Sequence, residues 1–183
     1  MKTANIERYL NSFGKQVVNR SKGNLQKAKG GGTNLESSID FKVTTNSEGF
    51  SVQFFMENYG AFVDKGVSGN KKQRKFKDYE SKTISSPYRF GTGSSKVGKA
   101  KGGMSGIMAK WVKKKGFQWK DKKTGRFMSH KSMGYLIARS IYRDGIQGIS
   151  FFQKPLMLGL KQFGENLLGS VRDDIINGLT TIK

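Results

Sequence analysis

Four groups of residues have types and spacings that could do chemistry. Gly93-Ser-Ser-Lys-Val-Gly-Lys-Ala100 approaches a phosphate-binding loop, in which glycines admit the backbone to the phosphates and a lysine neutralises them. Ala100 stands where a magnesium-binding hydroxyl is needed, and no apolar strand leads into the segment, so nucleotide hydrolysis is not expected. Asp64 with Glu80 and Lys82 has the residue types of a metal-dependent nuclease, carboxylates for the metal and a lysine for transition-state charge. Glu80 lies among polar residues, however, and a basic loop with incidental acids is the simpler reading. His130 is the only histidine, so no His–His metal pair exists, and it is expected in a solvated basic loop. Asp173 and Asp174 are sequence neighbours whose side chains diverge on a helix, which makes them surface charges. Neither catalysis, a metal nor a cofactor is called for.

The remaining chemistry is charge. The 183-residue chain has a formal net charge of +21, more than solubility needs, which implies a polyanionic neighbour such as nucleic acid or an acidic protein surface. From 65 to 131 there are 20 Lys and Arg against three acids, Asp78, Glu80 and Asp121, so this stretch holds 17 of the 21 net charges. Lys71, Lys72, Arg74, Lys75, Lys113, Lys114, Lys115, Lys120, Lys122 and Lys123 are the candidate contacts to channel DNA or to acidic partner proteins, between which the sequence does not choose. Interleaved aromatics, among them Tyr88, Phe90, Trp111, Phe117, Trp119 and Phe127, suit base stacking, and equally the anchoring of loops at subunit interfaces. Trp111 and Phe90 are assigned to the second role.

These residues need elements to position them. Ile6, Leu10, Phe13 and Val17 recur at helical spacing between Ala4 and about Lys22, with Gly14 a tolerated weakness of about 1 kcal/mol. After the Lys29-Gly-Gly-Gly32 break, Ile39, Phe41 and Val43 alternate with polar residues up to a turn at Asn46-Ser-Glu-Gly49. Phe50, Val52, Phe54 and Met56 then alternate in their turn, which predicts an antiparallel hairpin with one buried face. Glycine and serine between Gly66 and Gly106 predict a long loop or arm containing little packed structure. A short helix with Ile107, Met108, Trp111 and Val112 ends at Gly116. Another runs from about Ser132 to Arg143 with Met133, Leu136, Ile137 and Ile141 on one face, closed by Asp144-Gly145. Beyond Phe151-Phe-Gln-Lys-Pro155, Leu156, Leu160, Phe163, Leu167 and Val171 predict one long C-terminal helix. The fold class is α+β: a small antiparallel sheet packed by an N-terminal helix and C-terminal helices. Its parts are 1–64 (helix and hairpin), 65–131 (basic arm) and 132–183 (helices returning to the sheet), within one domain. No repeat, cysteine, signal-peptide core or apolar run of about 20 residues is present, so disulfides and thiolate metal sites are excluded and a membrane partner is not expected.

Three stretches carry a resemblance. Glu57-Asn-Tyr-Gly-Ala-Phe-Val-Asp-Lys-Gly-Val-Ser-Gly69 follows the hairpin, Ser86-Pro-Tyr-Arg-Phe90 lies in the loop ahead of the Trp111 helix, and Tyr135-Leu-Ile-Ala-Arg-Ser-Ile141 leads to Gly145-Ile-Gln-Gly-Ile-Ser-Phe-Phe-Gln-Lys-Pro155. In order and spacing they resemble the tail-completion, or head–tail joining, family of tailed bacteriophages. The resemblance implies a non-enzymatic virion subunit, made in the host cytoplasm, that forms a homo-oligomeric ring between the portal with its adaptor and the tail, around the DNA channel. It makes Tyr59, Phe62, Val63, Asp64, Tyr88, Phe90, Trp111, Phe151, Phe152 and Pro155 structural or interface residues; Tyr59, Phe62, Val63, Phe151, Phe152 and Pro155 would pack the hairpin against the last helix. The size and basicity of the loop depart from the family pattern. A stand-alone nucleic-acid-binding protein is the alternative reading.

Overall fold

A computed structural model describes residues 4–46, 49–90 and 103–180 and places them in two compact units. The fold is α+β. The first unit comprises 1–65, 76–84 and 149–183, and the second 66–75 and 85–148.

The first unit is built on α1 (Ala4–Lys29), which runs past its expected end because Leu25 continues the buried stripe of Ile6, Leu10, Phe13 and Val17. A short helix, α2 (Asn34–Ser38), follows the three glycines Gly30–Gly32, all at positive φ, where a side chain would be strained. Thr33 caps it through Oγ1, and Glu36 turns back to accept the Gly32 amide, a variant of the capping box. The hairpin is as expected. Strands β1 (Asp40–Asn46) and β2 (Gly49–Phe55) pair antiparallel with Phe41 opposite Phe54 and Val43 opposite Val52, so apolar side chains share one face. Phe41, Phe54 and Met56 lie against a core of Val18, Leu25, Leu35, Ile39 and Phe151.

Gly14 is not the weakness its helix propensity suggests. A Cβ there would overlap the Phe41 ring, so its absence is what lets α1 lie on the hairpin. Helix α3 (Gly60–Lys65) comes next, and chain 149–152 returns beside it into α6 (Gln153–Leu160) and α7 (Phe163–Thr180). The single C-terminal helix expected is therefore two, interrupted at Lys161 and Gln162 between the helix-weakening Gly159 and Gly164. Gly159 admits Phe13, whose Cε2 would stand 2.8 Å from a Cβ, and Phe163 packs edge-on to Phe13 with centroids 4.8 Å apart.

The second unit contains β3 (Gly66–Val67) and most of the basic segment, and the described part of that segment is folded instead of forming the loose arm expected. Backbone bonds join Ser68 to Tyr88, Phe90 to Ser68, and Asn70 to Tyr142, and Ser86 Oγ donates to the Gly66 carbonyl at 2.6 Å. The short strands β4 (Lys75–Lys77) and β5 (Thr83–Ser85) form a ribbon whose residues 76–84 belong to the first unit. Helix α4 (Gly103–Lys115) ends at Gly116, φ 69°, and α5 (His130–Asp144) at Gly145, φ 72°. The pair α4 and α5 pack closely at Gly134, where a Cβ would stand 2.7 Å from both Ala109 Cα and Ser105 O. Helix α5, expected to return to the hairpin, thus belongs with the basic segment. Its buried face is Met133, Gly134 and Ala138, while Leu136 is exposed, because backbone proximity at Gly134 sets the contact line. The two-residue strand β6 (Ile146–Gln147) pairs with β3.

Candidate functional site

Burial and hydrogen bonding sort the candidate residues into structural posts and solvent-facing groups. Asp64, at the end of α3, is 2 % exposed and its Oδ1 accepts the Phe152 amide at 2.8 Å and the Gln153 amide at 3.4 Å. Those are the first free N–H groups of α6, whose own N-cap residue, Phe152, supplies no capping side chain. The Val63 and Asp64 carbonyls accept the Ile149 and Ser150 amides, so two chain segments more than eighty residues apart are stitched side by side. Burial pushes the Asp64 carboxyl above its ordinary pKa, against the opposing pull of the Phe152 and Gln153 amides. Asp64 does not meet Glu80 and Lys82. These two pair with each other at 2.7 Å in solvent, beside Asp78, which accepts both their backbone amides. Among the described residues no cluster of three His, Asp or Glu side chains gathers where a metal could sit.

Asp174 corrects the expectation most sharply. It is 2 % exposed, and its two oxygens accept the Asn5 amide at 3.1 Å and the Ile6 amide at 3.0 Å, capping the first turn of α1 from the far end of the chain. Asp173, its neighbour, is exposed and near Arg172. His130 is also relocated. It is half-buried in the first turn of α5, following the N-cap Ser129, whose hydroxyl accepts the Ser132 amide.

Of the aromatic and apolar posts, Phe151 and Pro155 are buried and Val63 and Phe152 lie against the core, the Phe152 ring edge-on to Phe54 at 5.3 Å. Tyr59 and Phe62 depart from that expectation: both rings are over two-fifths exposed, because α3 uses Gly60, Val63 and Asp64 to face inward. Phe90 packs on Tyr142 at 5.7 Å within the second unit, Tyr88 is half-buried, and Trp111 is exposed with its ring 5.3 Å from that of Phe117.

The ten candidate cations divide. Arg74 is structural: its guanidinium donates to Gln147 Oε1 and to the Gly145 carbonyl, at 3.2 and 3.3 Å. Lys71 and Lys72 are tied by their amides to the Arg143 carbonyl at the end of α5, and Lys75 is exposed at the start of β4. Lys113, Lys114 and Lys115 form the last turn of α4, and all three are exposed. Lys120, Lys122 and Lys123 stand on a tight turn between Trp119 and Met128. Asp121 organises that turn by accepting the Lys123 and Thr124 amides, bonds that hold its carboxyl below the ordinary range, the Thr124 bond most. Lys120 Nζ lies 5.1 Å from the Phe127 ring centroid. The phosphate-loop resemblance at Gly93–Ala100 lies outside the described residues.

Among the described residues no helix is long and apolar enough to cross a membrane. No protein-family model matches this chain, and neither does any curated protein or solved structure.

Proposed function

We propose that the protein is a structural virion subunit of a tailed bacteriophage, forming a homo-oligomeric ring in the neck that joins the portal assembly to the tail around the DNA channel. The observation that carries the reading is the stitching of residues 63–64 to 149–153. Two of the stretches that resemble the tail-completion family meet there, with Asp64 as the helix-capping post between them. The chemistry of that post is consistent with a scaffold, since its carboxylate is engaged by amides and not presented to a substrate.

Surface character agrees. The first unit exposes Phe50 and Phe55 on the hairpin, Tyr59 just ahead of α3, Phe62 on α3 and Leu168 on α7, of which Leu168 is 70 % exposed. Large apolar side chains left in solvent are expected of a subunit completed by its neighbours. The hairpin is a two-stranded sheet, so each of its strands has an outer edge with backbone groups for a neighbour to meet.

The test is light scattering and electron microscopy of the purified protein, followed by co-expression with candidate portal and tail proteins. Closed rings, or a monomer that enters particles only beside those proteins, are expected. A stable monomer that never joins a particle would remove the basis for the proposal.

A further inference from the structure

Charge is distributed unevenly between the units. The second unit holds 19 Lys and Arg against two acids, Asp121 and Asp144, whereas the first carries a net charge of only +4. Both acids are already engaged, Asp121 by backbone amides and Asp144 by the Arg143 guanidinium at 2.7 Å. The lysines are also shaped into a surface. On α4, Ile107, Lys110, Trp111 and Lys114 stand at positions i, i+3, i+4 and i+7, which places them on one face, and all four are exposed. The turn from Trp119 to Met128 adds Lys120, Lys122, Lys123 and Arg126, all exposed, together with Trp119 and Phe127 at 43 % and 63 % exposure.

We infer that this face of α4 and the Trp119–Met128 turn form a nucleic-acid-binding surface that grips the sugar-phosphate backbone through lysines and offers tryptophan rings to bases, without sequence readout. Three observations choose this ligand over other anions. Protein interfaces are depleted in lysine, yet seven of the eight cations between 110 and 126 are lysine, Arg126 being the exception, and an ammonium group meets phosphate as a point charge. A membrane surface would need a broad apolar face free to embed, whereas Val112 is buried against α5 and the free face of α4 sets only Ile107 and Trp111 among its lysines. The helix dipole accounts for basic residues in the last turn of α4, but not for those of the turn that follows. Exposed indoles beside lysines are the pairing that strand-binding grooves use.

The inference does not rest on ring assembly, and its test is read on whichever oligomer the protein forms. Binding of fluorescein-labelled single-stranded and duplex DNA is measured by anisotropy across a salt series. The wild type is compared with Lys110→Gln/Lys114→Gln/Lys122→Gln/Lys123→Gln, and with a control of equal charge loss on α1, Arg8→Gln/Lys15→Gln/Arg20→Gln/Lys27→Gln; all eight side chains are exposed, and thermal melts verify folding. The first variant is expected to flatten the log–log salt slope by about 3, at roughly 0.7 to 0.9 per lost phosphate contact. The control should retain the wild-type slope. Trp119→Ala is expected to weaken single-strand binding on the order of tenfold. Duplex binding unaffected by that change identifies the duplex as held by phosphates alone, and a loss confined to single strands identifies stacked bases. Equal weakening by the two quadruple variants would show that net charge alone attracts DNA and would overturn the assignment. So would polyglutamate or anionic phosphatidylserine vesicles competing as well as DNA at equal charge concentration. Ring formation by a variant that has lost DNA binding separates this result from the fate of the neck proposal.

Discussion

Asp173→Ala and Asp174→Ala are adjacent, chemically identical changes for which the structure demands different outcomes. Asp173 is exposed, and truncating it should alter stability by no more than about 0.5 kcal/mol. Asp174 is buried and serves two amides of the first turn of α1, so its loss removes a helix cap worth about 1 kcal/mol and leaves buried N–H groups unsatisfied at about 1–3 kcal/mol. A combined cost of about 3 kcal/mol follows, the two contributions overlapping in part. Asp174→Asn keeps one acceptor oxygen and loses the charge opposite the helix dipole, so it should fall between the other two. Urea unfolding followed by far-ultraviolet circular dichroism at fixed protein concentration measures all three. The midpoint for Asp174→Ala should drop with an unchanged slope, which marks a stability change and not a change in the surface exposed on unfolding. Equal midpoints for the two alanine variants would refute the argument, since they would show that α1 starts without help from α7.

Three further outcomes follow from the packing. The Asp64 carboxyl has a folded pKa above its unfolded value, so the folded state holds the proton more tightly, and its contribution is present below the unfolded value, 3.8, and lost as pH rises through the folded one. Wild-type stability measured relative to Asp64→Asn should therefore fall as pH rises from below 3.8 through the folded pKa; a relative rise would mean that the amide bonds outweigh burial. Gly14→Ala should destabilise by about 1–3 kcal/mol through overlap with Phe41, although helix propensity alone predicts a gain of about 1 kcal/mol. The sign of the change in urea midpoint decides between those forces. Gly134→Ala should cost at least as much, since the obstructing atoms are the backbone of Ala109 and Ser105 and cannot rotate away. Trp111 and Trp119, the only tryptophans, both lie in the second unit, so their fluorescence reports this loss independently of the helical signal of α1 and α7.

Periodicity by itself determined the hairpin, the position of α1 and the existence of α4 and α5, because each of these buries one face and the spacing of Phe41 and Val43, or of Ile6 and Leu10, records which face that is. Composition determined that the positive charge lies in the middle of the chain. Close approach was not legible: nothing in the spacing around Gly14 or Gly134 says that a ring or a second backbone will occupy the missing Cβ's place, because the neighbour comes from elsewhere in the chain. The same holds for caps. Asp64 and Asp174 look like incidental acids until α6 and α1 bring their unsatisfied amides to them across 88 and 168 residues. A carboxylate's role is set by which donors surround it when water is removed, and only the tertiary structure decides that.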